Sequence, residues 1–245
     1  MTEPLFLADL DDPEVGQVVQ LTGDEGRHAA AVRRLRVGEV ILISDGNGTA
    51  VRGPVTTADK NGLAITVAEV LRHPQRPVRY VAVQALPKGD RAEQAVEMLT
   101  ELGIDEIVPW QAERSVVRWA PERVERGLTR WRATAREAAK QCRRYRVPTV
   151  TMPMTTAELA LRAAQSDLTV VLHESADTPL GSLSLPASGE IMFIVGPEGG
   201  LTDAEVAAFT AAGGRTALIS DAVLRTSTAG VVALAQLQAL AVRDS

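Results

Sequence analysis

The run Gly196-Pro197-Glu198-Gly199-Gly200 holds the residue types that most directly suggest a ligand. Its three glycines remove Cβ atoms where a backbone must turn sharply or come close to a bound molecule. An apolar run, Ile191 to Val195, precedes it, and Thr202 followed by Glu205 gives the capping-box pattern that opens a helix. Strand, glycine loop and capped helix together form a cradle. The cradle is not built for phosphate, because no Gly-Lys-Ser/Thr follows and Glu198 would repel an anion. The Gly-x-Gly-x-x-Gly spacing of dinucleotide folds is absent as well, which argues against a dehydrogenase. A carboxylate beside backbone amides suits a neutral or cationic ligand. The same residues also suit a plain strand-to-helix turn, and the glycines alone do not decide between the two.

Two further loops carry candidate groups. His173-Glu174-Ser175-Ala176 follows the apolar run Leu168 to Leu172, and no nucleophile pattern surrounds His173, so a structural histidine is the plainer reading. Asp221 to Thr228 follows Thr216 to Ser220, and its Arg225 stands among hydroxyls at a helix start. There it can hold an anion or a base oxygen, or pair with Glu198 or Asp221. Lys88-Gly89-Asp90-Arg91 adds two cations after an earlier strand. The three histidines, His28, His73 and His173, are scattered, and with one cysteine, Cys142, no metal-ligand spacing arises; no metal is expected. A single cysteine forms no internal disulfide and suits a reducing cytosol.

Charge is segregated. The net charge of −5 argues at first against nucleic acid, but Glu113 to Arg146 holds eleven basic residues against four acidic ones. That segment carries +7, leaving −12 for the rest, and phosphate backbones respond to the local field. The competing reading is a solvated helix face, although four acids cannot pair eleven bases.

The elements that must position these groups follow from periodicity. At 245 residues the chain has room for one large domain or two small ones. Aromatics make up only 3%, so the core must come from Ala, Val, Leu and Ile. Val15 to Leu21, Glu39 to Ser44, Ala50 to Val55 and Leu63 to Leu71 read as strands, with a turn at Asp45-Gly46-Asn47-Gly48 and a short helix over His28 to Leu35. His73 to Pro77 reads as a linker. Beyond it, strands over Tyr80 to Leu86, Ile104 to Pro109, Leu168 to Leu172, Ile191 to Val195 and Thr216 to Ser220 alternate with helices. The helices are expected over Asp90 to Leu102, after Pro121 to about Cys142, and over 203–212 and 228–241. Apolar strands alternating with helices predict a parallel sheet covered on both faces, with ligands at the carboxyl ends of its strands. Met1 to Leu10 lacks a basic region before an apolar run and does not read as a signal peptide. Ala229 to Val242, interrupted by Gln236 and Gln238, is too short to span a bilayer, so no membrane partner is expected.

These residues together resemble the SPOUT superfamily of RNA methyltransferases, and more narrowly the RsmE family of 16S ribosomal RNA (uracil-1498-N3)-methyltransferases. His28, Val32-Arg33-Arg34, Gly38 and Asp45-Gly46 resemble its N-terminal PUA-like RNA-binding domain. Lys88-Gly89, Glu93, Thr100 to Gly103 and Glu113-Arg114-Ser115 resemble the start of its catalytic domain, and Glu137-Ala138-Ala139, Gln141, Arg144 and Val147-Pro148 its central helix. Gly196 to Gly200 and Leu224-Arg225-Thr226 with Thr228-Ala229 resemble the two loops around the methyl donor.

The resemblance implies an α/β protein: a PUA-like β-barrel domain over 1–73, a linker over 74–78, and a SPOUT domain over 79–245 with a parallel sheet and a deep trefoil knot. It implies S-adenosylmethionine as cofactor, 16S rRNA or the 30S subunit as partner, a homodimer and a cytoplasmic location. Cofactor contacts fall on Leu172, His173, Glu174, Gly196, Pro197, Gly199, Gly200, Ile219, Ser220, Leu224 and Thr226. Catalytic roles fall on Arg225, which would stabilise a uracil oxygen, and on Glu198 as the nearest carboxylate. RNA contacts fall on His28, Arg33, Arg34, Arg36, Lys88, Arg91, Arg114, Arg136, Gln141, Arg143 and Arg144. The chain departs from the family pattern at Ser220, Ala222, Ser227 and Lys140, where Gly, Arg, Glu and Glu are common, but keeps the glycine cradle and Arg225. Two other functions fit: methylation of another rRNA or tRNA nucleotide, and a non-catalytic RNA-binding assembly factor.

Overall fold

In the computed structural model, which describes residues 3–243, the chain separates into two units. Residues 1, 2, 244 and 245 of the expected domains lie outside the described residues. The first unit runs to Gln75 and takes in Ala139–Val147. Its elements are β1 (Leu5–Leu7), β2 (Val18–Leu21), α1 (Gly23–Arg27), β3 (Val40–Ser44), β4 (Thr49–Asp59), β5 (Gly62–Thr66) and β6 (Glu69–Arg72). The strand order is β1-β3-β4-β5-β2, with β6 also on β4, and only the β1–β3 pairing is parallel. One long strand makes the curl. The first half of β4 lies between β3 and β6, its register shifts between Val55 and Thr57, and its second half pairs with β5. The curl closes over Phe6, Leu21, Ile41, Ile43, Val51 and Ile65. Segment 139–147 joins this unit through backbone: Gly48 N–H donates to the Tyr145 carbonyl and Val147 N–H to that of Gly46, each at 2.8 Å. Lys140 pairs with Glu25 at 2.9 Å, which gives this departure from the family pattern a local partner.

The second unit holds β7 (Val78–Ala85), α2 (Arg91–Leu102), β8 (Glu106–Trp110), α3 (Val124–Cys142, its last residues counted with the first unit), β9 (Thr149–Val150), α4 (Thr156–Ala163), β10 (Leu168–Leu172), β11 (Gly189–Val195), α5 (Asp203–Ala211), β12 (Arg215–Ala217) and α6 (Thr226–Arg243). The sheet is parallel throughout, in the order β12-β10-β11-β7-β8-β9. Alternation of side chains sorts its two faces. Val81, Val83, Met192, Ile194 and Phe209 cluster on the side of α4 and α5, while Phe193, Val195 and Gln84 approach Gly230 of α6 on the other. Burial of both faces explains why β10 and β11 read as nearly continuous apolar runs.

Several boundaries differ from expectation, each for a local reason. The strand expected from Val15 begins only at Val18, because Gln17 N–H closes a turn onto the Glu14 carbonyl. The strand expected over Leu63 to Leu71 is two, because Val67 N–H turns to Gln17 and Ala68 N–H to Arg52. The helix expected over His28 to Leu35 starts at Gly23 and ends as a π-type turn over His28–Val32, with Arg33 N–H reaching back to the His28 carbonyl. The strand expected over Thr216 to Ser220 is only Arg215–Ala217. β1, β9 and α4 were not anticipated. Among the described residues no helix is long and apolar enough to cross a membrane.

Candidate functional site

Three loops at the carboxyl end of the sheet, after β10, β11 and β12, enclose a cavity of about 300 Å³. The β10 loop contributes Leu172, His173 and Glu174; the β11 loop contributes Gly196, Pro197, Glu198 and Gly200; the β12 loop contributes Ile219, Ser220, Leu224, Arg225 and Thr226. These are the residues that the sequence assigned to cofactor and catalysis, with one exception. Gly199 does not line the cavity: a Cβ built there would lie 3.1 Å from Cβ of Arg114 and 3.3 Å from its carbonyl oxygen. Sequence reasoning missed Val195, Leu201, Leu218, Ala222, Val223 and Ala229, which supply much of the apolar wall.

The glycine loop is held from outside. Gly200 takes φ +74°, a left-handed conformation that disfavours side chains, and its N–H closes the turn onto the Pro197 carbonyl at 2.9 Å. A Cβ on Gly196 would meet the Leu201 side chain at 3.0 Å. Arg114, one of the expected RNA contacts, also reaches the carbonyls of Gly199 and Leu201 with one nitrogen, both at 3.3 Å. Thr202 and Glu205 form the expected capping box, and buried Glu205 also accepts the Glu113 N–H at 2.8 Å.

Glu198 is tied to the β7 end of the sheet. Its Oε1 accepts the Lys88 N–H at 3.0 Å and faces Arg91 at 3.5 Å, and Arg91 itself lines the cavity. His173 Nδ1 accepts the Ser175 N–H at 3.2 Å, and the residue lines the cavity. The Ser220 hydroxyl accepts the Ala222 N–H at 3.1 Å and so builds a turn of its own where the family pattern has Gly.

Arg225 stands at the start of α6. Its carbonyl accepts the N–H groups of Thr228 and Ala229, each at 2.9 Å, and the Thr228 hydroxyl at 3.1 Å. Its side chain is exposed and has no ion pair among the described residues, so neither Glu198 nor Asp221 neutralises it. Gln84, fully buried at the end of β7, donates to the carbonyls of Ala85 at 3.1 Å and Thr226 at 3.4 Å, while its Oε1 has no partner. It ties the sheet to the residue after Arg225. A lone Gln in an apolar strand gave no spacing signal.

The donor set fits S-adenosylmethionine. The walls are largely apolar, and Glu174 adds a carboxylate that suits a cationic ligand. The N–H groups of Ile219 and Leu224 make no hydrogen bond among the described residues, and the Ile219 carbonyl accepts from the Gln236 side chain at 2.9 Å.

The remaining candidates divide between the units. His28, Arg33, Arg34 and Arg36 are exposed in the first, as are Gln141 and Arg143, with Arg144 half-buried. Lys88, Arg114 and Arg136 belong to the second. Arg34 and Arg143 adopt positive φ, +55° and +57°. Among the described residues no group of three or more His, Cys, Asp or Glu side chains is placed to hold a metal.

The sequence pattern of the RNA methyltransferase domain family matches residues 74–238, and that of the RNA methyltransferase PUA domain family matches residues 21–68. Ribosomal RNA small subunit methyltransferase E of Mycobacterium tuberculosis (strain CDC 1551 / Oshkosh) is 43% identical over 239 residues, spanning 94% of this chain and 90% of that protein. Its counterpart in Bacillus subtilis (strain 168) is 32% identical, spanning 91% of each. The crystal structure of the Neisseria gonorrhoeae ribosomal RNA small subunit methyltransferase E bound to S-adenosyl methionine superimposes with a TM-score of 0.86 at 28% identity, covering 98% of both chains. On fold, site and sequence together, the chain belongs to the ribosomal RNA small subunit methyltransferase E family.

Proposed function

We propose that this protein transfers a methyl group from S-adenosylmethionine to N3 of a uridine in 16S rRNA, uridine 1498 in the family pattern. The observation that carries the reading is Arg225, an unpaired guanidinium at the rim of a cavity formed by the β10, β11 and β12 loops. The bound cofactor supplies a sulfonium methyl group for in-line displacement. The chain's residues do the rest. Backbone groups of Leu172, Gly196, Gly200, Ile219 and Leu224, all of which line the cavity, would hold the adenosine. Apolar walls exclude water, which strengthens every charge interaction inside. Uracil N3 must lose its proton to accept the methyl group, and the charge that develops spreads onto the ring oxygens. Arg225 stabilises that charge, a preorganised electrostatic contribution. Glu198, committed to Lys88 and Arg91, acts as a clamp between loops.

The same reading assigns residues 1–73 to RNA binding and 79–245 to methyl transfer, joined by 74–78. It places phosphates on Arg33, Arg34, Arg36, Arg136, Arg143 and Arg144, and includes a cytoplasmic homodimer with a knotted second unit acting on the 30S subunit. The test is to incubate the protein with labelled S-adenosylmethionine and either naked 16S RNA or 30S particles, then map the label. A single uridine labelled at N3 is expected. Label elsewhere shifts the substrate within the superfamily, and tight cofactor binding without transfer to any RNA overturns the catalytic reading.

A further inference from the structure

A second cavity, of about 530 Å³, also opens at the carboxyl end of the sheet. One stretch of chain lies along both: Gly196 to Glu198, Gly200 and Leu201 border the first, while Ala204 and Glu205 at the head of α5 border the second. Its opposite side is the loop after β8 and the segment leading into α4.

Among the described residues, Trp119 is the one aromatic residue that lines this cavity. Its ring lies so close to α3 that a Cβ on Gly127 would sit 2.6 Å from it, and it meets Trp131 edge-on, 5.4 Å between centroids at 75°. These contacts fix the ring against α3. Met154 adds a second apolar surface. The polar groups are few and complementary. Gln111 uses its carbonyl oxygen to accept the Trp119 N–H at 2.8 Å, which leaves its side-chain NH₂ without a partner among the described residues. Arg118 donates one nitrogen to the Glu113 carbonyl at 2.9 Å and has further donors to give. The Glu113 carboxylate, bonded to the Thr202 hydroxyl at 3.2 Å, supplies an acceptor. A phosphate would face that carboxylate. An aromatic plane with edge donors and an acceptor instead matches an unstacked nucleobase, which stacks on one face and hydrogen-bonds along its edge.

We propose that this cavity receives a nucleobase of the substrate RNA other than the methylated one, splayed out of the strand. The proposal rests on the methyltransferase reading above. It is tested with RNA fragments spanning the target uridine, each carrying one abasic position, assayed with the full chain and with Gln111→Ala/Arg118→Ala. For the unmodified protein, one abasic position should raise the RNA KM about ten-fold; in the variant that same position should cost nothing further, with the KM for S-adenosylmethionine unchanged. Equal effects of every abasic position in both proteins would overturn the proposal. If the unmodified protein methylates no fragment, the 30S assay above decides the functional reading, and tryptophan fluorescence decides this proposal separately. Quenching by the intact fragment that is lost in Trp119→Leu supports a base at Trp119; no quenching rules it out.

Discussion

Arg225 has a fixed backbone and a spare guanidinium. Its carbonyl caps α6 through Thr228 and Ala229, so truncating the side chain leaves the helix start intact. Arg225→Ala should therefore lower kcat about 10²- to 10³-fold, the usual effect of removing one preorganised donor. Cofactor affinity by calorimetry should stay within a few-fold, and equal loss of both would show that the residue serves binding instead. Arg143 poses a different question. At φ +57° an L side chain carries a penalty of roughly 1–2 kcal/mol that glycine avoids. Arg143→Gly should leave urea stability unchanged or raise it by up to about 1 kcal/mol, while flattening the salt dependence of RNA binding. An unchanged slope would return Arg143 to solvent. The cavity residues were legible because glycines, hydroxyls and a capping box mark loops in sequence. What Glu198 and Arg114 do there was not, since both are defined by partners more than eighty residues away.

At the scale of elements, α3 shows how far periodicity reaches. Pro121 and the apolar spacing of Leu128, Trp131, Ala135 and Ala138 mark the helix and its buried stripe. They do not explain Gly127, which weakens a helix interior by up to about 1 kcal/mol relative to Ala. The cause is Trp119, whose ring occupies the space of the missing Cβ. On an open helix, Gly127→Ala would stabilise; here it should destabilise by about 1–3 kcal/mol as the ring is displaced. A rise in Tm would show that Trp119 yields easily. The elements missed in sequence are the short ones. β1 and β9 span three and two residues, too few for any period to register. α4 did carry a cue, the capping box of Thr155 and Glu158.

The second unit as a whole is polarised. Its cavities lie at the carboxyl end of the sheet, and at the amino end Arg79 and Arg162 both contact Glu106 and Glu190, tying β7, β8, β11 and α4 together. Burial alone would raise the Glu190 carboxyl, but hydrogen bonds from Arg162 and Ser166 and the charges of Arg162 and Arg79 outweigh it and hold it below its ordinary 4.5. A carboxyl lowered in the folded state contributes stability above its unfolded value, and that contribution fades as pH falls through the lower folded value. Glu190→Gln should thus cost about 2 kcal/mol in urea unfolding at pH 7, with the gap to the unmodified protein narrowing below about pH 4.5. A gap independent of pH would mean packing, not charge, is lost. At the opposite end, the segment from Gly196 to Glu205 borders two cavities and is bonded to Arg114 on one side and Glu113 on the other. If filling one cavity shifts this segment, the second cavity is altered with it. Linkage then requires reciprocity: whatever factor the methyl donor adds to RNA affinity, RNA adds to the donor's.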